Sequence, residues 1–235
     1  MSRSAAPADP PAFQLTHRPP WLIARFAAPQ RVLSWALNRP GIQSTEAVAW
    51  LQVEDGDLPP EVDARTLLQA RLAAAGLGDA LGLLTSRGLR HRRRSSHSCE
   101  GTHADCVVTL GLSNAERVGH RRAAGRQSAA AGTINLLCHV SAPLSEAALL
   151  EALSVATQAR TTAVLERGYA PDPALGPVTG TGTDCIVIAC PRDGPGLPYA
   201  GLHTAAGEAI GAAVLHATDE AMELWLGEER SKGLP

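Results

Sequence analysis

The chain has 235 residues, room for one large domain or two small ones, and a formal net charge of −2 that gives no global reason to expect nucleic acid as a partner. Hydrophobic residues make up 45% of it, an ordinary share for a globular protein, and no apolar run approaches the ~20 residues a membrane-spanning helix needs. Aromatic residues are only 3%, so the core is expected to be built from small aliphatic side chains. The five cysteines, an odd number, include several inside apolar runs, and a reduced, cytoplasmic setting is the simpler expectation.

Residues 1–18 are rich in proline and small residues, carry no periodicity, and read as a disordered tail without a secretory signal. Residues 19–228 are expected to form one domain, followed by a tail at 229–235. In residues 21–37 two apolar pairs flank Ala28-Pro29-Gln30, which suggests a hairpin, and Pro40-Gly41 marks a turn. Residues 61–75 read as a helix between Pro60 and Gly76, and 80–85 as a buried strand. The basic, polar stretch 87–103 reads as an exposed loop, followed by a buried strand at 106–110.

Residues 133–140 alternate. Ile134, Leu136, Cys138 and Val140 form one face and Thr133, Asn135 and His139 the other, with Leu137 the exception. A polar face of that kind is expected to meet water in an antiparallel sheet, or else to line a site. Residues 144–167 form a helix with Leu149, Leu153, Ala156 and Ala163 on one stripe. Residues 185–190 are a continuous apolar strand, and 204–227 form the last helix, with Thr204 as its N-cap. Hairpin-like strands with segregated helices argue for an α+β fold: a single domain with a mixed or mostly antiparallel sheet covered by two long C-terminal helices.

Three features could carry chemistry. Arg160 falls in the middle of an apolar helix stripe, so it either pairs with a carboxylate or runs its stem over apolar surface toward water. Thr179-Gly180-Thr181-Gly182-Thr183-Asp184 leads into the 185–190 strand, where glycines let a ligand approach the backbone and Asp184 could act as base or orient a histidine; a hydroxyl-capped turn is the alternative. His203 stands just ahead of the last helix, placed either to serve as a general base or simply to satisfy a neighbour. His97, Cys99, His103, Asp105 and Cys106 match no usual zinc spacing, so no metal site is expected. The basic run at Arg90, Arg92, Arg93 and Arg94 reads as a solvated loop. Motifs of serine-hydrolase elbows, phosphate loops, dinucleotide folds and zinc proteases are absent.

Taken in order, Leu83-Leu84-Thr85, Gly111-Leu112-Ser113-Asn114-Ala115, Gly132-Thr133-Ile134-Asn135, the threonine–glycine run at 179–184 and Tyr199-Ala200-Gly201-Leu202-His203-Thr204 resemble the adenosylcobinamide amidohydrolase family. The resemblance spans residues 21–225. It departs from the family pattern at Arg160, where that pattern carries lysine, and at the 90–103 segment. Arginine keeps a charge-binding role but not that of a reactive amine.

The resemblance implies hydrolysis of the amide joining aminopropanol to a corrin side chain, giving adenosylcobyric acid for cobalamin salvage. It implies no cofactor, since cobalt arrives within the corrinoid substrate. The partner is adenosylcobinamide or a related corrinoid, with no nucleic acid or membrane; a homo-oligomer is compatible with the sequence. The expected catalytic pair is His203 as base with Asp184 orienting it. Thr85, Ser113, Asn114, Thr133, Asn135, Arg160, Thr181, Gly182 and Thr183 are the expected substrate-binding residues. Two alternatives stand beside this reading: a non-catalytic corrinoid-binding protein, and a hydrolase that exposes a threonine nucleophile by cleaving itself at Gly132-Thr133.

Overall fold

The computed structural model describes residues 11–59, 61–120 and 132–232. In chain order these form β1 (Gln14–Arg18), β2 (Trp21–Ser34), β3 (Gly41–Gln52), α1 (Ala64–Ala74), β4 (Leu81–Thr85), β5 (Arg93–Cys99), β6 (Thr102–Leu110), β7 (Ala115–Glu116), β8 (Ile134–Val140), α2 (Glu146–Glu166), β9 (Gly180–Thr181), β10 (Cys185–Pro191) and α3 (Ala205–Ser231). The expected α+β architecture is present: one mixed eight-stranded sheet in the order β4-β3-β2-β10-β8-β6-β5, with two long C-terminal helices on one face. β1 is the eighth strand, and it pairs with the first half of β2, while β10 pairs with the second half on the same edge. β3/β4 and β8/β10 are the parallel pairs.

The alternation read at residues 133–140 decides which layer each side chain joins. Ile134, Leu136, Cys138 and Val140 face α2 and α3 in one apolar cluster with Ile210, Val214 and Met222. Leu137, the exception, belongs with Val107, Val187, Trp50 and Leu83 in a second cluster on the opposite face. Because that cluster joins β4 to β8, the sheet curls until its two halves meet, and Asn135 Nδ2 bridges them by donating to Leu84 O at 2.6 Å. α1 covers the outside of β3 and β4 through Leu68 and Leu72. The polar face of β8 therefore does not meet water: Thr133, Asn135 and His139 are all buried.

Four other expectations are corrected. Residues 21–37 are not a hairpin; β2 is one long strand whose register against β3 shifts between Arg25 and Gln30, an irregularity that takes up Pro29. The tail does not extend to residue 18, because Phe13 is buried, packs edge-on against Phe26 at 5.9 Å, and leads into β1; residues 1–10 lie outside the described residues. Residues 87–103 are not a loop, since β5 pairs with β6 along its whole length. Arg94 of the basic run is tied down there, donating to Asp105 at 2.8 Å and lying over the Phe13 ring. α3 continues to Ser231, past the expected domain end, and residues 233–235 lie outside the described residues. No helix among the described residues is long and apolar enough to cross a membrane.

Candidate active site

β8 and β10 run parallel, so both begin at the same end of the sheet, and the threonine–glycine loop arrives there. Asp184, one residue before β10, ties the three pieces together. Its Oδ1 accepts from Ile134 N (2.9 Å) and Thr181 Oγ1 (2.5 Å). Its Oδ2 accepts from Thr181 N (3.0 Å) and from Arg160 Nη1 of α2 (2.7 Å). Arg160 also donates to Thr179 O at 2.8 Å. The arginine in the apolar stripe is thus a paired cation, its side chain 10% exposed and that of Asp184 8%, rather than one reaching for water. Gly180 has to lack a side chain, since a Cβ there would collide with both Arg160 Nη1 and Asp184 Oδ2. A short β7/β9 pairing and the bond from Thr179 N to Glu116 O fasten the loop to the segment after β6.

Beside this buried pair, inside the curl of the sheet, lies a cavity of about 460 Å³ lined by Thr85 of β4, by Asn114, by Gly132, Thr133 and Asn135 at the start of β8, and by Gly182, Thr183 and Asp184. Its opposite wall is apolar, from Trp35, Leu37, Leu58 and Leu83. Thr133 Oγ1 donates to Thr183 O at 2.9 Å, and Thr183 Oγ1 donates back to Gly132 O at 3.2 Å. Asn114 Oδ1 is buried with no hydrogen-bond partner among the described residues. A Cβ on Gly132 would stand 2.7 Å from Ser113 N and 3.0 Å from Asn114 Oδ1, so this glycine lets the segments 111–115 and 132–135 touch backbone to backbone. Arg160 and Thr181 line an adjoining groove that shares Trp35, Gly182 and Asp184 with the cavity. Ser113 contributes its backbone at Gly132; its side chain is exposed and does not line the cavity.

The expected pairing of His203 with Asp184 is not formed. His203 is exposed, after the carboxyl end of β10, whereas Asp184 stands at the amino end with both oxygens occupied. The turn that carries His203 docks on the other end of α2, where Ala200 N donates to Glu151. Arg160 sits further along that helix, ~13 Å away at 1.5 Å per residue. The 199–204 block builds the start of α3: Thr204 accepts from Gly207 N at 2.9 Å, and a Cβ on Gly207 would run into Gly201 O.

The other titratable group on the described cavity lining, the Cys185 thiol, has its pKa pushed up to about 11, chiefly by burial. Among the described residues no three potential metal ligands come together. His103 instead shares a hydrogen bond with Ser98, and Cys106 is buried under the helices.

Sequence reasoning missed Trp35 and Leu37. Both line the cavity while remaining 45% and 41% exposed, and Trp35 Nε1 donates to Asp184 O at 2.7 Å. The available signal was a rare aromatic placed just before a turn, at Trp35-Ala36-Leu37-Asn38.

A model of the adenosylcobinamide amidohydrolase family matches residues 7–230. A Methanosarcina mazei protein named adenosylcobinamide amidohydrolase is 32% identical over 154 residues, covering 62% of this chain and 67% of that protein. A Halobacterium salinarum protein of the same name is 31% identical over 160 residues, covering 65% of this chain and 64% of its own length. Among solved structures, a Pyrococcus horikoshii protein aligns over 86% of this chain and 77% of its own at 12% identity, with a TM-score of 0.46. With the match spanning nearly the whole chain and both named relatives agreeing, this chain belongs to the adenosylcobinamide amidohydrolase family.

Proposed function

We propose that the chain hydrolyses the amide between aminopropanol and the corrin side chain of adenosylcobinamide, releasing adenosylcobyric acid for corrinoid salvage. One observation carries the reading: segments 83–85, 111–115, 132–135 and 179–184, far apart in sequence, all contribute to the lining of one cavity. A corrin macrocycle is far larger than a space of about 460 Å³. Only the amide-bearing arm enters, and the macrocycle rests on the apolar ledge of Trp35 and Leu37 at the mouth.

Amide hydrolysis needs donors for the developing oxyanion and a proton for the leaving amine. The backbone N–H of Gly182 serves the oxyanion, while that of Thr183 is turned toward Thr181 Oγ1 at 3.4 Å. Asn114, whose buried oxygen has no partner among the described residues, accepts from the substrate amide N–H. Asp184 and Arg160 act as positioning residues that hold the loop and the start of β8 in register. The cobalt belongs to the substrate. The described polar lining consists of amides, hydroxyls, one carboxylate with its acceptors filled and the buried Cys185 thiol, which is bonded to Ser34 and pushed up to a pKa of about 11, a poor donor set for a resident metal.

The test is incubation of the purified chain with adenosylcobinamide, followed by chromatography for adenosylcobyric acid. Product formation in a chelator supports the reading. Tight corrinoid binding without product would replace it with the non-catalytic alternative.

A further inference from the structure

We propose that the chain cleaves its own Gly132–Thr133 bond and that the freed Thr133 amine is the base of the hydrolysis. The second half rests on the proposed function; the first stands on the geometry alone. The described lining of the cavity contains two titratable side chains, Asp184 and Cys185. Asp184 accepts four hydrogen bonds, from Ile134 N, Thr181 N, Thr181 Oγ1 and Arg160 Nη1, so it has no lone pair to offer a water. The Cys185 thiol is buried and hydrogen-bonded to Ser34 at 3.4 Å. The described lining therefore holds polar groups suited to an amide and no free base.

A base can be made from the backbone. Thr133 is buried in the cavity lining, and its hydroxyl is held at Thr183 O. The carbonyl before it, Gly132 O, accepts the Thr183 hydroxyl at 3.2 Å, a donor placed where negative charge would develop on that oxygen. Gly132 is wedged against Ser113 N and Asn114 Oδ1, which fixes the peptide bond in place. Asn114 Oδ1, buried there without a partner among the described residues, is an acceptor awaiting a donor, and a new ammonium at Thr133 would supply one.

Thr133 Oγ1 attacks the Gly132 carbonyl carbon, the C–N bond breaks, and the hydroxyl proton passes to the departing nitrogen, leaving an ester. Water then hydrolyses the ester to a Gly132 carboxylate and a Thr133 with free amine and free hydroxyl, so one water is consumed. In turnover the amine takes the proton of Oγ1 as that oxygen attacks the substrate amide carbonyl. It returns the proton to the leaving aminopropanol, and a second water releases the corrinoid acid. An α-amine titrates near ~8, suited to general-base work at neutral pH, whereas an internal threonine has no such group at hand.

The experiment is intact mass spectrometry with N-terminal sequencing of the purified full chain, run beside the adenosylcobinamide assay. Expected are two fragments, 1–132 and 133–235, that stay together through gel filtration, the second beginning Thr-Ile-Asn. Thr133→Ala should remain one chain, melt like a folded protein and lack activity, while Thr133→Ser should still cleave. An unbroken wild-type mass overturns the self-cleavage, and unbroken protein that turns over substrate overturns the amine base while leaving the proposed function standing. Cleaved protein that leaves adenosylcobinamide intact overturns the amine's role in turnover and the substrate assignment together, and leaves the processing in place.

Discussion

Replacing Arg160 by Met separates a structural cation from a merely tolerated one. Methionine fits the apolar stripe of α2, so if the arginine only ran its stem along that stripe, the change would be neutral or stabilising. The structure argues otherwise, because Arg160 Nη1 bonds Asp184 Oδ2 at 2.7 Å with both side chains nearly covered. Removing one partner of a buried ion pair costs roughly 3–5 kcal/mol, since the remaining charge is left uncompensated. Asp184 keeps Ile134 N and both donors of Thr181, which points to the low end, about 3 kcal/mol. For a chain of this size that is a drop of about 6–12 °C in melting temperature. Adding Asp184→Asn should restore part of it, with a coupling of about 1 kcal/mol or more in the double-mutant cycle. Arg160→Met melting within 2 °C of wild type, or strictly additive losses in the double mutant, would refute the reasoning.

Further tests address other parts of the fold and site. His139 is buried beside Phe26 with its pKa lowered to about 4, chiefly by burial. Below pH 6.5 the unfolded chain therefore binds a proton that the folded chain refuses, and stability should fall by about 3 kcal/mol as pH drops from 6.5 to 4, a slope that His139→Gln flattens in denaturant titrations. Phe13→Ala should cost about 3 kcal/mol, measured by urea unfolding, because Phe13 fills the inner cluster against Phe26; an unchanged midpoint would return it to a tail. Asn114→Ala should lower turnover by about 10² with the melt preserved, as loss of a positioned hydrogen-bonding group does. His203→Ala should stay within about threefold of wild type, far from the 10² or more lost with an acid–base residue.

How much was legible beforehand follows from how local each signal is. The helices 144–167 and 204–227 and the strand 185–190 carry their own periodicity or apolar run and were read correctly. β2 is not legible as one strand because Pro29 is an ordinary turn signal, and only the shifted register against β3 shows that the strand carries it through. β5 was missed because its exposed edge position lets it be polar and basic, with no alternation to see until β6 is placed beside it. For the site, residue types were legible but partners were not. Asp184 and Arg160 both stand out, yet nothing local says that they hold each other, and Asp184 pairs on paper with His203 because both precede buried elements. The parallel pairing of β8 with β10 decides the matter: it gathers Thr133, Asn135 and Asp184 at one end and sends His203 toward the other.

The central claim is that amide hydrolysis occurs in the cavity at the start of β8 rather than at the turn before α3. The most direct measurement is the rate of adenosylcobyric acid formation from adenosylcobinamide by three proteins side by side: wild type, Thr133→Val and His203→Ala. The account predicts product from wild type and His203→Ala and none above background from a folded Thr133→Val. A dead His203→Ala beside an active Thr133→Val would contradict it.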